Sequence, residues 1–246
     1  MSRKYRIDPG KLTVVLTSCG RFDLLADTVA SFLRHFDTDR IIVADDAGNI
    51  KADTAFASGL PQIDMRVNDP PCGQMRSIDG LYASVNTPYV VHLEDDWAFS
   101  GDADLDKVMR LLEARPDISV VCIGYRFDKR FADHARKEAR EGVDYWVWDL
   151  DAHPKWFSYS FNPSVGRTGF WREHGPYAGF KTEEGLSQFA KSRGLRIAML
   201  IPSLAEHIGD DRHADDRFQP KRAKTPLARL KRSIAKRWER LTGRGG

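Results

Sequence analysis

The strongest constraint on this chain is a series of short, continuous apolar segments that alternate with amphipathic ones. "KLTVVLTSCGR" reads as a buried strand from Leu12 to Thr17 that stops in a polar turn at Gly20. "DLLADTVASFLRHF" follows, with Leu24, Leu25, Val29, Phe32, Leu33 and Phe36 at helical spacing and Asp23 placed to cap it. "RIIVADDAGN" is a second strand and "IDMRVND" a weaker third. A helix fits "GQMRSIDGLYASV", through Met75, Ile78, Leu81, Tyr82 and Val85. The strand "PYVVHLEDDW", a helix over Asp104–Ala114 and the strand "ISVVCIG" at 118–124 complete an order β-α-β-β-α-β-α-β. Strands this uniformly apolar are buried on both faces. The pattern therefore predicts an α/β fold with a mostly parallel central sheet flanked by helices.

In such sheets ligands bind at the carboxyl ends of the strands. Three polar clusters remote in sequence fall there: Thr17-Ser18, Asp45-Asp46 and Glu94-Asp95-Asp96. Three consecutive carboxylates repel one another. Taken alone they read equally well as solvated turn acids or as a site for a hard divalent cation, which takes oxygen donors and bridges to phosphate. No Walker lysine accompanies them, so a P-loop is not expected.

The remaining half is less regular. It is rich in aromatics, with Trp146, Trp148, Trp156, Phe157, Tyr159, Phe161, Phe170 and Trp171. Core packing accounts for most of them, and some are placed to stack on a sugar face. "NPSVGRTGFW" reads as a strand and loop, Glu183–Ser192 as a helix ending at Gly194, and "LRIAMLIP" as a strand.

At 246 residues the chain can bury a core without covalent staples. Its three cysteines, Cys19, Cys72 and Cys122, lack paired spacing and suggest buried thiols in a reducing compartment. "MSRKYRIDPGK" has no apolar leader and no segment is long enough to cross a bilayer, so the expected location is cytoplasmic. The net charge of +3 conceals an asymmetry: residues 221–246 carry ten Lys/Arg and one acid, leaving −6 for residues 1–220. In "TPLARLKRSIAKRWERL", Thr225 can cap a helix with Pro226 at its first position. Leu227, Leu230, Ile234, Trp238 and Leu241 then form a stripe roughly 80° wide on an otherwise basic helix. This is the pattern of an amphipathic helix lying on anionic lipid; docking on a protein and nucleic-acid contact are the other readings. The expectation for residues 225–241 is the inner face of the cell membrane, with no nucleic acid.

In order and spacing, "VVLTSCGRFDLL", "IIVADDAGN" and "CGQMRSIDGLYASVNTPYVVHLEDDW" resemble the GT-A glycosyltransferases, in particular family 2 and its relatives. Ser77 replaces the asparagine usual after the motif arginine. The resemblance implies a GT-A (Rossmann-like) domain over residues 1–220, with a nucleotide-sugar-binding half at about 1–125 and an acceptor half at 126–220. It implies that Thr17, Ser18, Arg21, Asp45, Asp46, Arg76, Glu94, Asp95 and Trp97 surround a nucleoside-diphosphate sugar, a UDP-sugar being favoured. It implies a DxD-type metal site at Glu94-Asp95-Asp96. Asp96 would hold Mn²⁺ or Mg²⁺, helped by Glu94 and the late His207. Glu184, with Glu183 second, would be the base of an inverting transfer to a glycan or lipid-linked acceptor in bacterial surface polysaccharide synthesis. Arg212 and His213 could approach the diphosphate.

No QxxRW-type motif stands where a processive synthase has one. Two other readings remain open. A sugar-phosphate nucleotidyltransferase needs a glycine-rich basic loop after the first strand, and "TSCGRFD" is short and glycine-poor. A non-catalytic, membrane-tethered binding module would not need every element of the site.

Overall fold

The computed structural model describes residues 4–209 and Arg212. The expectations for the basic helix at 225–241 and for His213 lie outside these residues. From the amino end come β1 (Tyr5–Arg6), β2 (Leu12–Ser18), α1 (Phe22–His35), β3 (Phe36–Asp37), β4 (Ile41–Asp45), α2 (Ile50–Ser58) and β5 (Ile63–Val67). There follow α3 (Gln74–Tyr82), β6 (Tyr89–Glu94), β7 (Trp97–Phe99), α4 (Leu105–Ala114) and β8 (Ile118–Cys122). The later elements are β9 (Ala135–Arg140), β10 (Val143–Trp148), β11 (Ser164–Arg167), α5 (Thr168–His174), α6 (Glu183–Ser192), β12 (Arg196–Leu200) and β13 (Ala205–His207).

Nine strands form one sheet in the order β5-β4-β2-β6-β11-β8-β12-β10-β9. From β5 to β6 all neighbours are parallel, as the uniformly apolar strands predict. The mixed character comes from β11 and β10, which run against the other strands. Because β11 lies between β6 and β8, the two halves expected at 1–125 and 126–220 share one sheet.

The pleat sorts the core into two layers. Val14, Leu16, Val91 and Leu93 face α1 and α4. Val15, Val90, Val120 and Met199 face α3, α5 and α6. α4 begins after its own cap, Asp104, which accepts the Asp106 and Lys107 N–H groups at 3.1 and 3.3 Å. The expected Asp23 cap is not realised. Helix α1 starts at Phe22, and Asp23 lies in its first turn, paired with Arg212 at 2.5 and 2.8 Å.

Several elements were not legible in advance, α2, β9 and α5 among them. Helix α2 has only one buried residue, Asp53, so it lacks an apolar stripe to read. Strand β9, "ARKEAR", is a charged edge, as expected of a strand that must not recruit another sheet. Helix α5 occupies what reads as a loop. Among the cysteines, Cys122 is buried while Cys19 and Cys72 are half-buried, short of the fully buried thiols expected. Among the described residues no helix is long and apolar enough to cross a membrane.

Candidate active site

The carboxyl ends of β2, β4 and β6 lie side by side, with Ser18 opposite Asp45 and Thr17 opposite Glu94. The three predicted polar clusters therefore share one rim.

The Asp45–Asp46 pair is held mainly by backbone. Asp45, fully buried, accepts the N–H of Gly20 at 2.7 Å and of Ala47 at 2.8 Å. Asp46 accepts the N–H groups of Cys72 and Gly73, both at 2.8 Å, and donors from Asn68 and Ser77 at 3.0 and 3.2 Å. Asp46 thus supplies the negative charge at the amino end of α3. Ser77, the departure from the family pattern, is a buried hub: it also accepts from Asn68 Nδ2 at 2.7 Å and donates to the Gly73 carbonyl at 3.0 Å. Arg76, one residue earlier, is exposed on α3.

The acids after β6 are held by side chains. Asp95, 1% exposed, accepts Ser18 Oγ at 3.0 Å and Arg21 Nε at 3.2 Å, and a second guanidinium nitrogen of Arg21 completes the fork. Arg21 also reaches Asp96 Oδ2 at 2.9 Å. His207 Nε2 lies 3.3 Å from that same oxygen. Strand β13 brings His207 there by pairing with β7, which sets His207 opposite Trp97. The Ile208 N–H donates to the Asp96 carbonyl at 2.8 Å. Gly209 is required beside it, since a Cβ there would come within 2.5 Å of Asp96 Oδ2. Burial pushes Asp95 above the usual carboxylate range despite the opposing pull of Arg21. Glu94 is raised well above that range by burial first, then by the charges of Glu183, Asp96 and Asp95.

Trp97, expected beside the donor, is 3% exposed in the core layer of α1, its ring edge-on to His207 with centroids 5.2 Å apart. Its backbone explains why: the Trp97 and Phe99 N–H groups donate to Thr28 Oγ1 and Ser31 Oγ of α1, each at 3.0 Å. This clamp turns the chain inward directly after the acids.

Helix α6 spans Glu183–Ser192 as predicted, capped by Thr182 Oγ1, which accepts the Gly185 N–H at 3.0 Å. The two acids of its first turn part company. Glu183 accepts Ser160 Oγ at 2.8 Å and the Phe161 N–H at 3.1 Å, and is an electrostatic neighbour of Glu94. Glu184 is paired with Lys155 Nζ at 2.5 Å. Sequence reasoning missed Lys155, Ser160, Gly209 and also Gln74, whose Nε2 donates to Glu94 Oε1 at 3.3 Å. Each owes its place to a long-range contact, and of the four only Gln74 falls in one of the motifs quoted above.

Asp96 and His207 fit a divalent cation as a carboxylate–imidazole pair, and the Arg21 guanidinium shows that this locus holds positive charge. Glu94 does not join them in a convergent trio. Among the described residues the His/Asp/Glu group with three ligand atoms within 4.8 Å of one another is His134, Asp149 and Asp151. That group lies elsewhere. Asp149 follows β10 and lies 3.8 Å from Arg196, at the amino end of β12, so it occupies the rim opposite the acids of β6. Its carboxylate is also paired with Arg136. A two-residue set at Asp96 and His207 is what Mg²⁺ or Mn²⁺ needs when a substrate diphosphate supplies further oxygens.

Several solved structures share this fold. TarS 1–349 of S. aureus, in complex with UDP-GlcNAc, matches with TM-score 0.56 and 11% identity over 92% of this chain and 65% of that one. The mannosyltransferase PcManGT of Pyrobaculum calidifontis, in complex with GDP-Man and Mn²⁺, matches with TM-score 0.53 and 12% identity over 83% of this chain and 59% of that one. The chain spans about three-fifths of the length of such solved chains. No protein with a curated description matches it. The model of the family described as glycosyl transferase family 2 matches residues 13–182, from β2 through the cap of α6 and across every acid of the β4 and β6 rim. The chain belongs to glycosyl transferase family 2.

Proposed function

We propose that this glycosyltransferase is metal-dependent and inverting. It would move a sugar from a nucleoside-diphosphate sugar, UDP-linked by preference, to a glycan or lipid-linked acceptor in bacterial surface polysaccharide synthesis. The reading is carried by one observation: Asp96 and His207 meet at 3.3 Å on the rim where Glu94 and the first turn of α6 also come together. Nucleotide-sugar complexes of the structural neighbours support the donor class.

When bound, the cation supplies charge neutralisation for the departing diphosphate. The residues supply the rest. Asp96 and His207 would hold the cation. Ser18, at the end of β2, fixes the Asp95 carboxylate behind them. Asp45 and Asp46 shape the wall for the nucleoside by holding the Gly20 and Gly73 turns. Glu184 accepts the proton of the acceptor hydroxyl; Lys155 grips its Oε1 and leaves Oε2 as the accepting atom. Glu183, facing Glu94, orients the first turn of α6. The basic segment at 225–241 would bring this rim to anionic lipid on the inner face of the membrane.

Thermal-shift titration of UDP and GDP with Mn²⁺, Mg²⁺ or EDTA tests the donor. We expect stabilisation by a nucleotide only when metal is present, and metal-independent binding would overturn the reading. Glu184→Gln should keep nucleotide binding and lose transfer. Reversing Lys231 and Lys236 to Glu in the full chain should abolish co-sedimentation with anionic vesicles. Unchanged sedimentation would remove the membrane role.

A further inference from the structure

Arg21 sets a problem for any cation at this rim. Its guanidinium forks onto Asp95, reaches Asp96 Oδ2 at 2.9 Å and donates to the Arg212 carbonyl at 2.8 Å. Arg212 in turn clasps Asp23 on the first turn of α1. The Ile208 N–H donates to the Asp96 carbonyl, Gly209 lies against the Asp96 carboxylate, and the Arg212 carbonyl holds Arg21 beside it. A guanidinium is a fixed positive charge with a carboxylate-matching fork. Two adjacent buried carboxylates left without it would be strongly disfavoured.

We propose that Arg21 is the resident counter-cation of the acidic rim and that divalent metal enters only in exchange for it. Arg21 occupies Asp96 Oδ2, an oxygen that a metal held by Asp96 would need. A diphosphate offers the same guanidinium an equivalent anionic partner, so Arg21 turns outward to it and Asp96 becomes available. Its side chain is 18% exposed, on the solvent edge of the cluster, which gives it room to turn. Every charge keeps a partner in the exchange: the fixed cation leaves the two aspartates as a divalent one arrives, and the diphosphate that comes with it takes the guanidinium. Metal and nucleoside diphosphate therefore bind with positive coupling. The inference rests on the metal-dependent reading above.

Mn²⁺ binding, read from the loss of the free-ion EPR signal, tests it without turnover. For the wild-type full chain, UDP or GDP should raise Mn²⁺ affinity at least about tenfold. For Arg21→Gln without nucleotide, Mn²⁺ should bind about tenfold more tightly than to the wild type, and added nucleotide should contribute little more. Arg21→Lys keeps the charge but loses the fork. It serves as the milder variant should Arg21→Gln not fold, with a smaller gain of about threefold expected. Adding Asp96→Asn to either variant should erase the gain, which ties it to that carboxylate. Folded Arg21 variants that bind Mn²⁺ no more tightly than the wild type would overturn the exchange. If the wild type still takes up Mn²⁺ with nucleotide in that case, the metal-dependent reading survives. If instead the variants bind more tightly and no nucleotide affects the wild type, the coupling falls together with the donor reading.

Discussion

The chain places the same dipeptide, Asp-Asp, at the carboxyl ends of the two strands that flank β2, and the two copies are built oppositely. Asp45 and Asp46 are satisfied largely by main-chain N–H groups of three loops. Asp95 and Asp96 are satisfied by side chains, those of Ser18, Arg21 and His207. Backbone donors cannot leave without dismantling the loops that carry them. Side-chain donors can rotate away and yield to a cation. The first pair is thus built as a scaffold is, and the second is built as the exchange proposed above requires.

The comparison can be broken at either end. The largest effect should come from Asp96→Asn: donor turnover should fall on the order of 1,000-fold, about 4 kcal/mol in the barrier, with a melting temperature near the wild type. A large loss of stability instead would make Asp96 scaffold as well. Asp46→Ala should behave in the opposite way. It strands the Cys72 and Gly73 N–H groups and Asn68 Nδ2 and removes the charge at the start of α3, so unfolding free energy measured in urea should drop by about 3 kcal/mol. A neutral result would erase the distinction.

Two buried groups with no hydrogen-bond partner among the described residues sharpen it further. His92, on the α3-facing side of β6, lies between the Tyr82 and Phe161 rings, and burial lowers its pKa to about 3. The unfolded chain takes up that proton near pH 6.5 and the native state refuses it, so stability is full above 6.5 and declines as pH falls. Between pH 6.5 and 4 the loss should be ~3 kcal/mol, and His92→Phe should remove the dependence. Asp53 has the opposite sign. Burial first, then Asp45, raises it to about 6, so the native state holds its proton longer than the unfolded chain does. Stability should decline as pH rises from about 4 to 6. Asp53→Asn should flatten this segment and add about 1 kcal/mol at pH 7, measured by denaturant titration.

The amino-terminal half was legible because its strands are buried on both faces. Leu12–Ser18, Ile41–Asp45 and Tyr89–Glu94 are buried almost throughout and apolar up to their polar ends, His92 apart, so neither register nor partner choice was needed to find them. Helix α6 was equally plain, since Gly194 marks its end, and the structure adds the Thr182 cap at its start. Strands β9 and β10 are a different case. One is a charged edge and the other an aromatic strand running against its neighbours, and only a hairpin turning at Glu141 and Gly142 makes them a pair. Within the site, the division of labour between Glu183 and Glu184 was also hidden. Adjacent residues in a helix differ by about 100° in direction, and what each meets is set by Ser160 on one side and Lys155 on the other.

By itself, then, the sequence determined which strands are buried and where the carboxylates end them, because hydrophobic periodicity and turn chemistry are local properties. It did not determine the partners of those carboxylates. Arg21 reaches Asp95 across 74 residues and His207 is carried to Asp96 by a strand pairing made late in the chain. Only the tertiary structure sets such contacts, since the free energy that orders a side chain depends on everything packed around it.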